Sequence, residues 1–127
     1  MILKQKKVTI LLSSILAICF IALFIVQYMI FYATKPTFPG MIEEVVRYSS
    51  KNQWDKADKT LKKVEAKWNN AQSIIAIKYS DQDYSVLNVE FARLRGAINA
   101  KNIYGAEREG KACVLIFKNI TSISPNP

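Results

Sequence analysis

The stretch QWDKADKTLKKVEAKWNNAQSII, residues 53–75, sets the fold. Trp54, Ala57, Leu61, Val64, Trp68, Ala71 and Ile75 recur at alternating steps of three and four, the spacing that lines one face of a helix. At 100° per residue, Lys56, Lys59, Lys63 and Lys67 fall on the opposite side, with Asp55, Asp58 and Glu65 along one flank. Asp55 precedes Lys59 by four and Asp58 precedes Lys62 by four, the favourable order for surface ion pairs. The lysine row therefore reads as a solvated face; a functional basic patch is the alternative that the interleaved acids disfavour.

The neighbouring stretches carry the same helical period. MIEEVVRYSS, from residue 41, places Ile42, Val45, Val46 and Ser49 on one side, with Glu43 and Glu44 in the first turn, where the helix dipole favours acids. KNQ, residues 51–53, supplies a turn. SDQDYS, residues 80–85, breaks the pattern with turn and N-cap formers, and Leu87, Phe91, Leu94 and Ile98 then mark a third helix. After AKN, residues 100–102, a fourth helix carries Ile103, Ala106, Gly110, Cys113, Phe117 and Ile120, with Val114, Leu115 and Ile116 widening its apolar arc. Gly105 and Gly110 each weaken that helix by roughly 1 kcal/mol relative to alanine, so close approach of a neighbour is the expected gain. Ala57, Leu61, Val64 and Trp68 align with Ala106, Gly110, Cys113 and Phe117 at a constant offset of 49, a faint echo of duplication that any two amphipathic helices could also give. No segment alternates with period two.

Ahead of these helices lies an uncharged run, Val8 to Thr34, longer than the roughly 20 residues that cross a bilayer core as a helix. Lys4, Lys6 and Lys7 precede it and only Lys35 follows closely, which by the positive-inside rule places the N-terminus in the cytoplasm and the remainder outside. Tyr28, Phe31 and Tyr32 are expected at the headgroup zone. A cleaved signal peptide is the rival reading, disfavoured by the length of the run and by bulky Phe31 before a cut at Ala33. A lipoprotein signal ending in Cys19 is disfavoured by Ile18 and by the apolar residues that continue to Val26. KPTFPG, residues 35–40, reads as a hinge.

The expected fold is therefore all-α: a cytoplasmic basic tail (1–7), a transmembrane helix (8–34), a Pro/Gly hinge (35–40), a small four-helix, two-hairpin extracytoplasmic bundle (41–120) and a disordered tail (121–127). Its expected core holds Trp54, Leu61, Trp68, Phe91, Leu94 and Phe117. A domain of roughly 80 residues buries only a little over 60% of its unfolded surface, and large aromatic side chains fill so small a core efficiently.

The net charge of +8 divides by compartment: four basic residues flank the span, leaving fourteen against ten acids on the domain. Nucleic acid is therefore not the expected partner; the bilayer, anionic headgroups or wall polymers are. The chain has no histidine, which removes the commonest general base and metal ligand together. No phosphate-binding, nucleophile-elbow or dinucleotide motif occurs. Asp81 and Asp83 lack the glycine and distal glutamate of a calcium loop and read as helix caps. Glu90 borders the apolar stripe with Arg93 one turn on, and reads as an ion pair before a catalytic acid. Cys19 and Cys113 are expected to be too far apart to bridge, and Cys113 reads as a small buried hydrophobe. Asn119–Thr121 matches the glycosylation sequon, meaningful only in a eukaryotic secretory route. No catalytic residue, metal ligand or cofactor site is expected.

The segments NQWDKADKTLKKVEAKW, SDQD, VEFARLRGAINAKN and AEREGKACVLIFKNI, in that order over about two-thirds of the chain, resemble an uncharacterised family of small bacterial proteins, mainly from spore-forming Gram-positive lineages. The resemblance implies one N-terminal anchor and a helical outer domain without an assigned activity. Members often carry a histidine beside the acidic turn; its absence here means that no role for it is carried over. The function expected is a non-enzymatic, membrane-anchored interaction or accessory module of the cell envelope, with Val114 and Ile116 as candidate contacts for a second copy or an envelope protein. A lipid- or small-ligand-binding module is the alternative, and an envelope hydrolase a distant third.

Overall fold

Five helices make up the described part of the computed structural model, which covers residues 2–33, 35–78 and 81–121, with side chains described outside 73–83. They are α1 (Ile2–Phe31), α2 (Phe38–Ser50), α3 (Trp54–Lys78), α4 (Asp81–Asn99) and α5 (Ile103–Thr121), and no strand occurs among the described residues. α2 packs against α3 and α5, and α4 against α3 and α5, so these four helices form a closed ring around one core while α1 joins it along α3. The expected cap residues Asp81 and Asp83 and the tail from 122 onward lie outside the described side chains.

α1 is the one described helix long and apolar enough to cross a membrane, a test that a signal sequence would also pass. Within its apolar run, the Thr9 and Ser14 hydroxyls donate to Gln5 and Ile10 carbonyls one turn back, so these polar groups are satisfied inside the helix. The helix begins at Ile2, taking in the Lys4–Lys7 stretch expected as a tail, because lysine and glutamine are good helix formers.

The other end of α1 departs further from expectation. Phe31, expected among headgroups, is fully buried in the bundle, with ring centroids 4.9 Å from Phe117, 5.0 Å from Phe38 and 6.3 Å from Trp68. Gln27, one turn earlier, is also buried. The expected hinge is correspondingly shorter: α2 starts at Phe38, inside the 35–40 stretch and ahead of Met41. The extended residue Thr37 caps α2 by accepting from the Gly40 N–H at 3.1 Å. Pro39 occupies an early position where its missing N–H costs nothing. Phe38 is fully buried and carries the core up to this cap.

The two hairpins α2–α3 and α4–α5 are built alike. Both turns use a C-terminal αL residue, Asn52 at φ 58° and Lys101 at φ 53°. In each turn two N–H groups fold back onto the preceding helix: Asn52 to Ser49 (3.1 Å) and Gln53 to Tyr48 (2.9 Å), Lys101 to Ile98 (3.0 Å) and Asn102 to Ala97 (2.9 Å). This is the Schellman arrangement, and it recurs at an offset of 49. The buried positions keep the same offset: Phe38 with Leu87, Ile42 with Phe91, Val45 with Leu94, Ser49 with Ile98, Trp68 with Phe117. The repeat therefore extends through turns and core, beyond the four positions visible as a sequence echo.

Of the expected core, Leu61, Trp68, Phe91, Leu94 and Phe117 are buried. Trp54 is the exception. As the first residue of α3 it sits at the turn end, half-buried against the cluster, where no earlier helical turn covers it. Gly110 confirms the close-approach expectation: a Cβ there would lie 2.2 Å from Val46 Cγ2, so α5 meets α2 only because this residue is glycine. Gly105 sits over the N-cap, where its N–H donates to Asn102 Oδ1 at 3.0 Å, and a Cβ there would also come within 3.2 Å of Ala97 Cβ on α4.

Two stability predictions follow from this packing. In full-length protein held in detergent, Phe31→Ala is expected to lower bundle stability by about 3–5 kcal/mol and Lys63→Ala by less than about 0.5 kcal/mol, read by chemical melts of the helical signal. Gly110→Ala is expected to cost about 1–3 kcal/mol. Gly96→Ala, where a Cβ meets nothing within 4 Å, is expected to gain about 0.5–1 kcal/mol. Equal midpoints for the two alanine variants would contradict the α2–α5 contact.

Candidate functional site

The widened apolar arc of α5 is the part of the bundle that its own core does not consume. Phe117 points inward and is fully buried, so Leu115, 200° away, points outward and is 61% exposed. Val114 and Ile116 flank it, both half-buried against the core. A cleft of about 410 Å³ runs between α2 and α5, lined by Glu43, Val46, Gly110, Lys111, Val114, Leu115 and Lys118. Of the expected contact pair, Val114 lines the cleft and Ile116 does not; Leu115 takes its place. The run was recognised in the sequence, but its phase follows only from which residue faces the core.

The cleft has an apolar floor and charged edges. Glu43 stands on the α2 wall and Lys111 and Lys118 on the α5 wall. Lys111 is held by Glu107 at 2.8 Å, whereas Glu43 and Lys118 make no ion pair among the described residues.

The internal repeat supplies a comparison from within the molecule. Subtracting or adding 49 carries the α2–α5 face onto the α4–α3 face, so Val46 corresponds to Arg95 and Val114 to Glu65. There Arg95 lies across the helix boundary, 21% exposed in its side chain, and its guanidinium donates to both Asp58 and Glu65. One face is closed by a bridging ion cluster. Its counterpart is an open apolar cleft. Sequence reading placed Asp58 and Glu65 on a solvated flank and missed Arg95, since its partners lie 30 and 37 residues away.

Two further polar contacts join α3 to α4 and were also missed. Trp68 Nε1 donates to Asn88 Oδ1 at 2.6 Å, and Gln72 Nε2 donates to the same oxygen at 2.9 Å. A buried indole needs such an acceptor, which is the one signal that could have led to Asn88.

Glu90 is buried where α4 meets α5. Its Oε1 accepts from Arg93 at 3.1 Å, while Oε2 is buried with no donor beside it among the described residues. The Glu109 carboxyl faces it across the helix boundary. Burial, together with the hydrogen bond that Glu90 donates to Glu109 and the charge of Glu109, raises the Glu90 pKa against the opposing pull of Arg93. The same hydrogen bond and the adjacent Arg108 lower that of Glu109. One proton shared between the two carboxyls satisfies both observations. Burial, helped by these two acids, pushes the Cys113 thiol up to about 12, so it packs as an inert small hydrophobe. Among the described residues no three cysteine, aspartate or glutamate side chains converge as a metal site would need.

The family model "Domain of unknown function (DUF4363)" matches residues 24–124, and the chain belongs to this family. The matched region begins inside α1 and includes the two turns that carry Gln27 and Phe31. No curated protein and no solved structure matches the chain.

The Glu90–Glu109 pair makes stability depend on pH in a defined direction. A carboxyl with a raised folded pKa contributes fully below its unfolded value, and the contribution fades as pH rises through the folded value. Glu109, lowered, contributes above its unfolded value and loses that contribution only as pH falls through its folded one. Glu90→Gln replaces the shared proton by a permanent amide donor. It is expected to raise stability at pH 8 by on the order of 1 kcal/mol and to flatten the decline that sets in as pH rises above the ordinary carboxyl range, measured by chemical melts at pH 5 and pH 8. A variant less stable than wild type at pH 8 would contradict the shared proton.

Proposed function

We propose that this member of the DUF4363 family is a membrane-anchored, non-enzymatic interaction module of the bacterial cell envelope, with α1 retained as a single-pass anchor and the bundle outside the membrane. The observation that carries this reading is the burial of Phe31 and Gln27: the last turns of the apolar helix are part of the folded core. Removing α1 as a signal peptide would take a fully buried aromatic out of an 18-member apolar cluster. The family match starting at residue 24 supports treating those turns as domain. The Lys4, Lys6 and Lys7 cluster supports a cytoplasmic N-terminus.

With the ends of α1 so assigned, the bundle offers contact surface rather than reactive groups. Its buried thiol is held protonated, its buried Glu90 pairs with Glu109, and its apolar cleft faces outward. The second reading, a lipid- or ligand-binding module, is favoured by one observation, the lysine edge beside that apolar floor, which suits an acyl chain with an anionic head.

Protease added to intact protoplasts of a bacterial host is expected to digest the bundle and leave a membrane-held fragment containing α1. Protection of the bundle from an active protease, or a mature chain that starts after Phe31, contradicts the reading.

A further inference from the structure

We infer that the open α2–α5 cleft is the seat of a second copy of this chain, packed about a two-fold axis that runs along the membrane normal, an inference that rests on the anchored reading above. Two observations lead to it. Within one chain the equivalent α3–α4 face is closed by Arg95 bridging Asp58 and Glu65, so the fold does not require an open face at this position. On the α2–α5 side the corresponding residues are Val46 and Val114, with Leu115 projecting 61% exposed beside them. An apolar floor of this kind is covered by an apolar partner.

The charge on the two walls selects which partner. Glu43 on α2 and Lys118 on α5 lack ion-pair partners among the described residues, and Lys111 stands on the same wall as Lys118. A two-fold axis through the cleft brings the acidic wall of each copy onto the basic wall of the other, so the surface is complementary to itself. Helices anchored in one bilayer share their direction, and an axis along the membrane normal then preserves height. Val46 lies level with Gly110, as their contact shows, which puts Glu43, one turn nearer the start of α2, between the levels of Lys111 and Lys118.

The contact is small. Residues 111 to 118 span about 11 Å of helix, too little for the roughly 1,200 Å² that a stable soluble complex buries. Confinement in the plane of a membrane raises effective concentration enough for such a contact to be occupied.

The test uses full-length protein in membranes, with Cys19→Ser to remove the exposed thiol. Leu115→Cys sits beside the axis and is expected to give an oxidised homodimer with copper–phenanthroline, while Lys63→Cys on the far side of α3 stays monomeric. Adding Glu43→Lys is expected to lower the Leu115→Cys dimer yield about three- to tenfold, and further adding Lys118→Glu to restore it. Helical melts confirm that each variant is folded. A monomeric Leu115→Cys protein, equal dimer at both positions, an adduct with a different protein, or labelling of α5 by a photoactivatable fatty acid in place of the dimer overturns the two-fold contact. The last two outcomes leave the anchored module standing, whereas protease protection of the bundle removes the module reading itself.

Discussion

The packing of Phe31 against Phe38, Trp68 and Phe117 is the contact on which the rest of the molecule depends. It joins four of the five helices at one point, because these rings come from α1, α2, α3 and α5, and Phe91 of α4 closes the group through Phe38 and Trp68. A small domain has few ways to bury enough area, and five aromatic rings in mutual edge and tilted contact are an economical one. The cluster lies at the end of the bundle from which α1 emerges, opposite the two Schellman turns. The apolar helix is thus fixed to the domain by packing.

The legible part of this fold was the part governed by local period. Leu61, Trp68, Phe91, Leu94 and Phe117 were found because a single helix face determines them. Phe31 was misplaced because an aromatic at the end of an apolar run has two sinks of similar strength, the headgroup zone and a protein core, and composition does not separate them. Phe38 and Pro39 were read as a hinge because proline ends helices and also starts them. Arg95, Asn88 and the Glu90–Glu109 pair were invisible for another reason: their meaning lies in partners on other helices. At the candidate site, Val114 and Leu115 line the cleft and Ile116 does not, a phase that is set by the inward position of Phe117 and that the apolar run alone does not define.

The internal repeat gives the differences between the two halves a physical meaning. Equivalent positions share backbone, turn type and burial, so where their chemistry diverges the fold is not the cause. Leu61 fills the place that Gly110 leaves empty, and α5 can therefore come close enough to α2 for Val46 to touch its backbone. Arg95 occupies with charge what Val46 leaves apolar. Each pair of faces has the same scaffold, and the side chains alone make one face self-sufficient and the other unfinished.

A helix seated in a core by its last two turns has a fixed heading as well as a fixed position. Phe20, Phe24, Gln27 and Phe31 lie on one stripe of α1, with Phe20 and Phe24 in edge contact at 5.1 Å, so the line that enters the bundle continues down toward the apolar span. In the anchored module proposed above, the face that α1 turns to lipid is consequently geared to the orientation of the bundle. One residue inserted into α1 ahead of Phe24 would rotate everything upstream by about 100° relative to the bundle. Axial rotation of α1 is thus passed to the bundle as rotation of the whole body.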